Sequence, residues 1–190
     1  MSPKQHNTLS TDVPGIAILG AGIFAKEGTG LVVLRHSTAL HRPLTISKAY
    51  LPAIAALGGA SAASLRAVYS RSHQSASDLA QAAQNALDLA SPPEVFSDDG
   101  NSIDALLSRT DIIAVIVVLP ITLQPSFVLK ALAAGKHVLS EKPVAPDVKS
   151  GLALIKEYEE MYKHKGLIWR VAENYEAEPA YSKPFTFSNQ

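Results

Sequence analysis

The stretch GIAILGAGIFA, residues 15 to 25, decides how the rest of the chain is interpreted. A short apolar run, Ile16 to Leu19, leads directly into a turn with the spacing G-x-G-x-x-A. In parallel α/β proteins this spacing joins a strand to a helix: Gly20 permits the tight turn, Gly22 leaves the backbone accessible, and Ala25 allows close helix packing. The free amides and the positive end of the following helix then form a site for a pyrophosphate.

A single glycine motif of this kind is more often an ordinary turn. Here it stands at the first junction of a chain in which apolar, strand-length runs alternate with segments of helical period. That position favours a nucleotide site, and we predict that Gly20, Gly22, Ile23 and Phe24 contact a dinucleotide.

The alternation predicts an α/β fold built on a doubly wound parallel sheet of the Rossmann type. Continuous hydrophobicity in the first and fourth runs is typical of strands that are covered on both faces. The predicted strands are Ile16–Leu19, Leu65–Ser70, Val95–Ser97, Ile112–Leu119, His137–Ser140 and Leu167–Ala172.

Capping residues mark the predicted helices between these strands. Ser77 and Asp78 are expected to cap the helix DLAQAAQNALDLA, Ser102 the helix IDALLSR, and Asp147 a helix that starts at VKSG. Gly135 is placed to end the helix VLKALAA.

Charge and composition argue against several classes of function. The 17 basic residues balance the 17 acidic ones, so no overall field attracts nucleic acid or an anionic membrane. Cysteine is absent, the six histidines lack metal-ligand spacing, and the polar N-terminus has no signal-peptide core. We expect a cytoplasmic protein with no metal, and we expect residues 1–14 to form a disordered tail.

A second glycine pair, Gly28 and Gly30, interrupts the helix that should follow the first turn. The second predicted strand ends at Ser70, 48 residues after Gly22, whereas about 20 residues separate the glycines from the ribose-binding residue in an ordinary unit. Removing residues 28–48 would join GAGIFAKE to AYLPAIAAL as one continuous helix. We therefore predict an insertion at residues 28–48, which is either a retained intron or a genuine surface loop.

The end of the second predicted strand bears on the choice of cofactor. An acidic residue there would accept a hydrogen bond from the ribose 2'-hydroxyl of NAD, but this sequence offers Ser70, Arg71 and Ser72. A guanidinium and two hydroxyls suit a 2'-phosphate, so NADP is favoured over NAD. Leu119, Pro120 and Gln124 follow the fourth strand, where the crevice of such a sheet opens, and they are further candidate nucleotide contacts.

The segment LPITLQPSFVLKALAAGKHVLSEKP, Leu119 to Pro143, adds a more specific pattern. Together with GAGIFA, VYSRS and the late segment VAENYEAEP, it resembles the N-terminal nucleotide-binding half of the glucose-fructose oxidoreductase, inositol dehydrogenase and MocA family (Gfo/Idh/MocA). The piece AGKHVLSEKP carries most of the resemblance, which extends over most of residues 15 to 180 apart from the suspected insertion.

The resemblance implies hydride transfer between a nicotinamide cofactor and a hydroxyl- or carbonyl-bearing carbon of a sugar, polyol or related compound. It assigns Glu141, Lys142 and Pro143 to the cofactor site, with Lys142 beside the nicotinamide and the substrate, where its cation can hydrogen-bond the reacting oxygen. The peptide bond before Pro143 resembles one that is often cis in the family.

Family members continue into a second domain that completes the substrate pocket, and the sequence ends soon after the matched segment. We expect a nucleotide-binding domain at residues 15–175 with that second, substrate domain missing, and residues 176–190 as its truncated start or a tail. Glu176 and Ala177 stand where a basic and an aromatic residue are expected. The alternatives are therefore an oxidoreductase fragment and a noncatalytic nucleotide-binding or interaction protein, and another chain is expected to cover the exposed sheet in an oligomer or complex.

Overall fold

The protein is described by a computed structural model that covers residues 13–21, 46–57 and 63–173. Within the first helix, side chains are described from Tyr50 onward. The predictions made for Gly22, Ile23, Phe24 and residues 1–12, 28–45 and 176–190 lie outside the described residues. The predicted disordered tail of residues 1–14 is wrong at its last two positions, because the carbonyls of Val13 and Pro14 accept hydrogen bonds from Arg66 Nη2 and Ser64 N–H, both at 2.9 Å.

The described residues form a parallel sheet whose strands follow the order β3-β2-β1-β4-β5-β6. This order defines the doubly wound Rossmann sheet, so the predicted fold class is confirmed. All six predicted strands are present, with small differences at their ends. They are β1 (Gly15–Leu19), β2 (Ser64–Ser70), β3 (Glu94–Ser97), β4 (Ile112–Val117), β5 (His137–Ser140) and β6 (Trp169–Val171).

The helices connect successive strands, as the alternating sequence pattern predicted. They are α1 (Ile46–Ala56), α2 (His73–Leu87), α3 (Ile103–Ser108), α4 (Gln124–Ala133) and α5 (Val148–Met161). Ser102 and Asp147 cap α3 and α5 as predicted, and Gly135 follows α4 with a φ of 75°.

The predicted start of α2 at Ser77 and Asp78 is wrong. Ser72 is the N-cap, and its Oγ accepts a hydrogen bond from the Ser75 backbone N–H at 3.3 Å. Ser72, Ser75 and Ser77 all have a hydroxyl suitable for capping. The earlier start extends the helix over Ala76, which is fully buried against the sheet.

Alternate side chains of the strands point into two separate cores. Ala17 and Leu19 belong to the core that is covered by α3, α4 and α5, whereas Ile18 belongs to the core that is covered by α1 and α2. Both faces of β1 are fully buried, which explains its uninterrupted hydrophobic sequence.

The amino-terminal end of the sheet is held by an ionic network. Asp111 accepts hydrogen bonds from Arg109 Nη2 at 2.7 Å and from Arg66 Nη1 at 3.1 Å. Nearby, the ammonium of Lys136 donates to the carbonyls of Arg109 and Ile112 at 2.6 and 2.7 Å. These contacts lie at the end of the sheet opposite the carboxyl ends of the strands, so they support the fold rather than the candidate site.

Candidate active site

The strand order reverses between β1 and β4, and ligands of doubly wound sheets bind beside the carboxyl ends of the strands at this point. The two chains remain hydrogen-bonded up to this edge, because Val118 N–H donates to Leu19 O at 2.8 Å. On the other side, Gly20 N–H donates to Tyr69 O at 2.8 Å. The start of the glycine turn is therefore fixed between β4 and β2.

Gly20 has two independent reasons to be glycine. Its φ is 117°, a conformation that residues with side chains rarely adopt. A Cβ at this position would also lie 2.0 Å from the carbonyl oxygen of Val118 and 3.2 Å from Leu119 Cδ2. Gly20 and Ala21 are both buried and mark the beginning of the turn, and the predicted contacts Gly22, Ile23 and Phe24 follow outside the described residues.

The EKP segment, Glu141 to Pro143, lies on the other side of the same part of β4. Glu141 N–H donates to Val117 O at 3.0 Å, next to the residue that packs against Gly20. The glycine turn and the EKP segment are about 120 residues apart in sequence. They therefore flank Val117 and Val118 at the switch point, where the strand order reverses between β1 and β4. The side chain of Lys142 is exposed at this edge, and the Lys142–Pro143 peptide bond is cis, as the resemblance implied.

Gln124 is placed beneath this loop. It is 2% exposed, and its Nε2 donates to the carbonyl of Pro143 at 3.3 Å. Because a carbonyl only accepts hydrogen bonds, this contact fixes the orientation of the amide. The opposite atom, Oε1, is buried with no hydrogen-bond partner among the described residues.

The remaining predicted contacts of β4 have different surroundings. Leu119 is 5% exposed and packs near Gly20, whereas Pro120 is exposed. The carbonyl of Pro120 accepts hydrogen bonds from the N–H groups of Leu123 and Gln124 at 2.8 and 3.2 Å, which forms the turn into α4.

At the end of β2, Ser70 is buried while Arg71 and Ser72 are exposed. A carboxylate that the sequence did not predict also lies at this position: Asp99 Oδ1 accepts a hydrogen bond from the His73 backbone N–H at 2.9 Å. This contact places a negative charge at the N-terminus of α2, beside Arg71 and Ser72. Asp99 belongs to the loop after β3, and only the parallel pairing of β2 with β3 brings it here.

Tyr50 is a second residue whose place at the site the sequence did not predict. Its hydroxyl donates to Glu141 Oε1 at 2.6 Å, although 91 positions separate the two residues. Burial, followed by the hydrogen bond to the Glu141 carboxylate, raises the pKa of Tyr50 well above its usual range. No spacing rule connects α1 with the EKP segment, so sequence alone offered no signal for this contact.

The donor set at this edge fits a dinucleotide. Arg71 and Ser72 are exposed at the end of β2 and would suit an adenosine ribose or its phosphate, and the exposed cation of Lys142 lies beyond the end of β5 at the same edge. Among residues 13–21, 46–57 and 63–173, no group of three or more His, Asp or Glu side chains could hold a metal ion. None of the helices in these ranges is long and apolar enough to cross a membrane.

Comparisons with known proteins agree with this geometry. The dehydrogenase FPY6 of Fusarium mangiferae is 41% identical over 163 residues, which are 85% of this chain and 38% of that protein. A crystal structure of an oxidoreductase from Thermotoga maritima has a TM-score of 0.62 at 28% identity, covering 88% of this chain and 40% of the other.

KijD10, a 3-ketoreductase from Actinomadura kijaniata, was solved in complex with NADP and TDP-benzene. It has a TM-score of 0.56 at 22% identity, covering 90% of this chain and 40% of its own, and this likeness concerns the fold alone. The chain thus spans about two fifths of the length of these three proteins.

Residues 15–167 match the family GFO_IDH_MocA, described as an oxidoreductase family with an NAD-binding Rossmann fold. This match covers most of the chain, and it includes both the glycine turn and the EKP segment. The chain belongs to the Gfo/Idh/MocA family of oxidoreductases and comprises its NAD(P)-binding domain.

Proposed function

We propose that this chain is the nucleotide-binding half of an NADP-dependent oxidoreductase whose substrate is a sugar, a polyol or a related hydroxy or carbonyl compound. The observation that carries the proposal is the contact of Glu141 N–H with Val117 O, which holds the EKP loop beside the switch point. The name of a sequence relative supports the substrate class: the dTDP-3,4-didehydro-2,6-dideoxy-alpha-D-glucose 3-reductase of Actinomadura kijaniata is 54% identical over 43 residues, which are 23% of this chain and 13% of that protein.

The nicotinamide nucleotide supplies or accepts the hydride when it is bound. Lys142 would donate a hydrogen bond from its ammonium to the reacting oxygen of the substrate and stabilise the negative charge that develops there. Gly20 would begin the turn whose amides hold the pyrophosphate, with Gly22, Ile23 and Phe24 continuing it. Glu141, Pro143, Leu119, Pro120 and Gln124 would form the wall of the crevice between these two groups.

Two charged groups at the end of β2 have opposite effects on the choice between NADP and NAD. The guanidinium of Arg71 and the hydroxyls of Ser70 and Ser72 favour a 2'-phosphate. Asp99 opposes it, because its carboxylate already occupies the His73 amide at the N-terminus of α2. We propose that Arg71 outweighs Asp99, since Arg71 can form a bidentate contact with the phosphate while Asp99 is engaged with the backbone.

The substrate pocket is proposed to require polypeptide beyond this domain. The proteins compared above are about two and a half times as long as the matched region, and a second domain would supply further catalytic side chains. An apolar surface is available for that domain at α5 and β6. Its exposed residues are Val148, Leu152 and Ile155 on α5 and Ile168 and Val171 near β6.

Titration of the purified chain with NADPH and with NADH, followed by a scan of sugar and aldehyde substrates, tests binding and turnover separately. We expect weak binding that favours NADPH and no appreciable turnover by residues 1–190 alone. Turnover at an ordinary enzymatic rate would refute the need for a second domain, and absence of binding to either nucleotide would favour a noncatalytic interaction protein. Cytoplasmic localisation is part of the proposal and can be checked with a fluorescent fusion.

A further inference from the structure

The Glu141 carboxylate connects two parts of the candidate site. Its Oε1 accepts the Tyr50 hydroxyl at 2.6 Å, and its Oε2 accepts the backbone N–H of Lys142 at 3.1 Å. The backbone of Glu141 is fixed separately by its 3.0 Å hydrogen bond to Val117 O. The carboxylate therefore bridges α1 and the main chain of Lys142.

The position of Tyr50 is fixed by the packing of α1 against the core. Its neighbour Leu51 is 2% exposed and Ile54 is 7% exposed, and both belong to the core between α1, α2 and the sheet. Burial raises the pKa of Tyr50, so its hydroxyl remains a proton donor to the carboxylate under all ordinary conditions. A short hydrogen bond from a neutral hydroxyl to a charged acceptor is among the stronger kinds in proteins.

We propose that Tyr50 is a positioning residue, which acts through Glu141 to fix the orientation of the Lys142 main chain towards the nicotinamide and the substrate. The inference rests on the proposed function. It adds that α1 and the main chain of Lys142 are coupled through the Glu141 carboxylate. Because α1 lies on the chain between the glycine turn and β2, the contact links the helix that follows the pyrophosphate site to the loop that carries the lysine.

A purely structural role for Tyr50 makes a different prediction. If the hydroxyl only tied α1 to the sheet, its loss would lower stability and would affect all nucleotide ligands equally. A positioning role affects ligands that carry a nicotinamide and spares ligands that bind only at the end of β2. NADPH and adenosine 2',5'-bisphosphate distinguish the two roles, since the second ligand lacks both the nicotinamide and its ribose.

The test uses the full chain and its Tyr50→Phe variant, with the affinity for each ligand measured by calorimetry. Tyr162→Phe is the matched control, because Tyr162 follows the C-terminus of α5 and therefore lies near the opposite end of the sheet. Circular dichroism and thermal unfolding establish that each variant is folded. Glu141→Gln is a second variant, which keeps a side-chain oxygen that can accept the Tyr50 hydroxyl but removes the negative charge at position 141.

A spectroscopic signal reports the nicotinamide directly. Trp169 is the single tryptophan of the sequence, and its Nε1 donates to Ser140 Oγ at 3.0 Å, one residue before Glu141. Excitation of Trp169 should therefore transfer energy to the reduced nicotinamide of bound NADPH. Displacement of the Lys142 loop would change this transfer at saturating NADPH.

We expect Tyr50→Phe to weaken NADPH binding about fivefold, the equivalent of about 1 kcal/mol, and to alter the energy transfer at saturation. The affinity of Tyr50→Phe for adenosine 2',5'-bisphosphate should stay within about twofold of that of the unaltered chain. Tyr162→Phe should leave the affinities for both ligands unchanged. The NADPH affinity of Glu141→Gln should lie between those of the unaltered chain and Tyr50→Phe. Equal weakening of both ligands, or unchanged NADPH affinity, would overturn the inference alone. Failure of the unaltered chain to bind NADPH would refute the proposed function and the inference with it.

Discussion

Individual residues at the carboxyl edge of the sheet differ in how far sequence could predict them. Gly20 could be predicted because a turn of this type requires glycine, and the structure adds the neighbour that enforces it, Val118. Asp99 and Tyr50 could not be predicted, because their partners His73 and Glu141 are distant in sequence and meet only after the strands pair.

At Gly20 we predict that alanine destabilises the domain by at least about 4 kcal/mol, because the added Cβ meets the Val118 carbonyl and the φ is unfavourable. Gly135→Ala is the matched control. Gly135 also has a positive φ, 75°, but no atom lies within 4 Å of its Cβ position, so about 1 kcal/mol is expected. Chemical denaturation measures both values, and a similar small loss for the two variants would contradict the assignment.

At the end of β2 we predict opposite effects from two charges. Arg71→Ala should weaken NADPH binding about tenfold and leave NADH binding nearly unchanged, because it removes a charged partner of the 2'-phosphate. Asp99→Asn should strengthen NADPH binding, since it removes a negative charge from the N-terminus of α2. Arg170→Ala, at an exposed arginine on β6, is the control. If the Arg71 variant kept the same ratio of NADPH affinity to NADH affinity as the unaltered chain, the preference for NADP would be contradicted.

Secondary-structure elements were the most predictable level of this protein. The strands could be recognised because burial on both faces requires continuous apolar runs, and the caps at Ser102 and Asp147 because their side chains satisfy free amides. The start of α2 could not be located, because several hydroxyls compete as caps and the choice depends on packing of Ala76 against the sheet. The hypothesis of an insertion at residues 28–48 concerns the connection between the glycine turn and β2.

We predict that a chain lacking residues 28–48 folds and binds NADPH at least as tightly as the full chain, because the deletion restores the ordinary spacing between turn and second strand. α1 begins at Ile46, so the deletion also removes the three helical residues 46–48. A chain in which a Gly/Ser segment of equal length replaces residues 28–48 separates the effect of length from that of sequence. Loss of folding on deletion would show that the segment is an integral loop, and reading the transcript across this junction would decide between intron and loop.

The ionic network at the amino ends of the strands predicts a pH dependence of stability. Hydrogen bonds from Arg109, with a smaller contribution from Arg66, hold the pKa of Asp111 well below its usual range. A carboxyl whose pKa is lowered on folding stabilises the protein above its unfolded pKa of about 4. This stabilisation is lost as the pH falls from that value through the lower pKa of the folded state.

Asp111→Asn should therefore lower the free energy of unfolding by about 1 to 2 kcal/mol at neutral pH, a value that allows for solvent screening of this partly exposed side chain. The difference from the unaltered chain should shrink below about pH 4. Asp104→Asn, which removes an exposed partner of Lys130, should cost less than about 0.5 kcal/mol. Urea unfolding as a function of pH measures these values, and a difference that is independent of pH would contradict the role of Asp111.

At the largest scale, the described residues form a nucleotide-binding domain whose candidate site depends on two distant motifs being brought to the same point of the sheet. The strand order places the turn at Gly20 and the loop at Lys142 on either side of the end of β4. Sequence could predict this convergence in outline, because parallel strands with right-handed crossovers bring their carboxyl ends to one edge. It could not predict the hydrogen bonds that hold the loop, which depend on the packing of α1 and α4.

A crystal structure of the chain with NADPH tests the central claim most directly. The account predicts the pyrophosphate on the main-chain amides between Gly20 and Ala25, with the nicotinamide adjacent to the ammonium of Lys142. Density for the nucleotide on another face of the sheet, or with its nicotinamide directed away from Lys142, would contradict it.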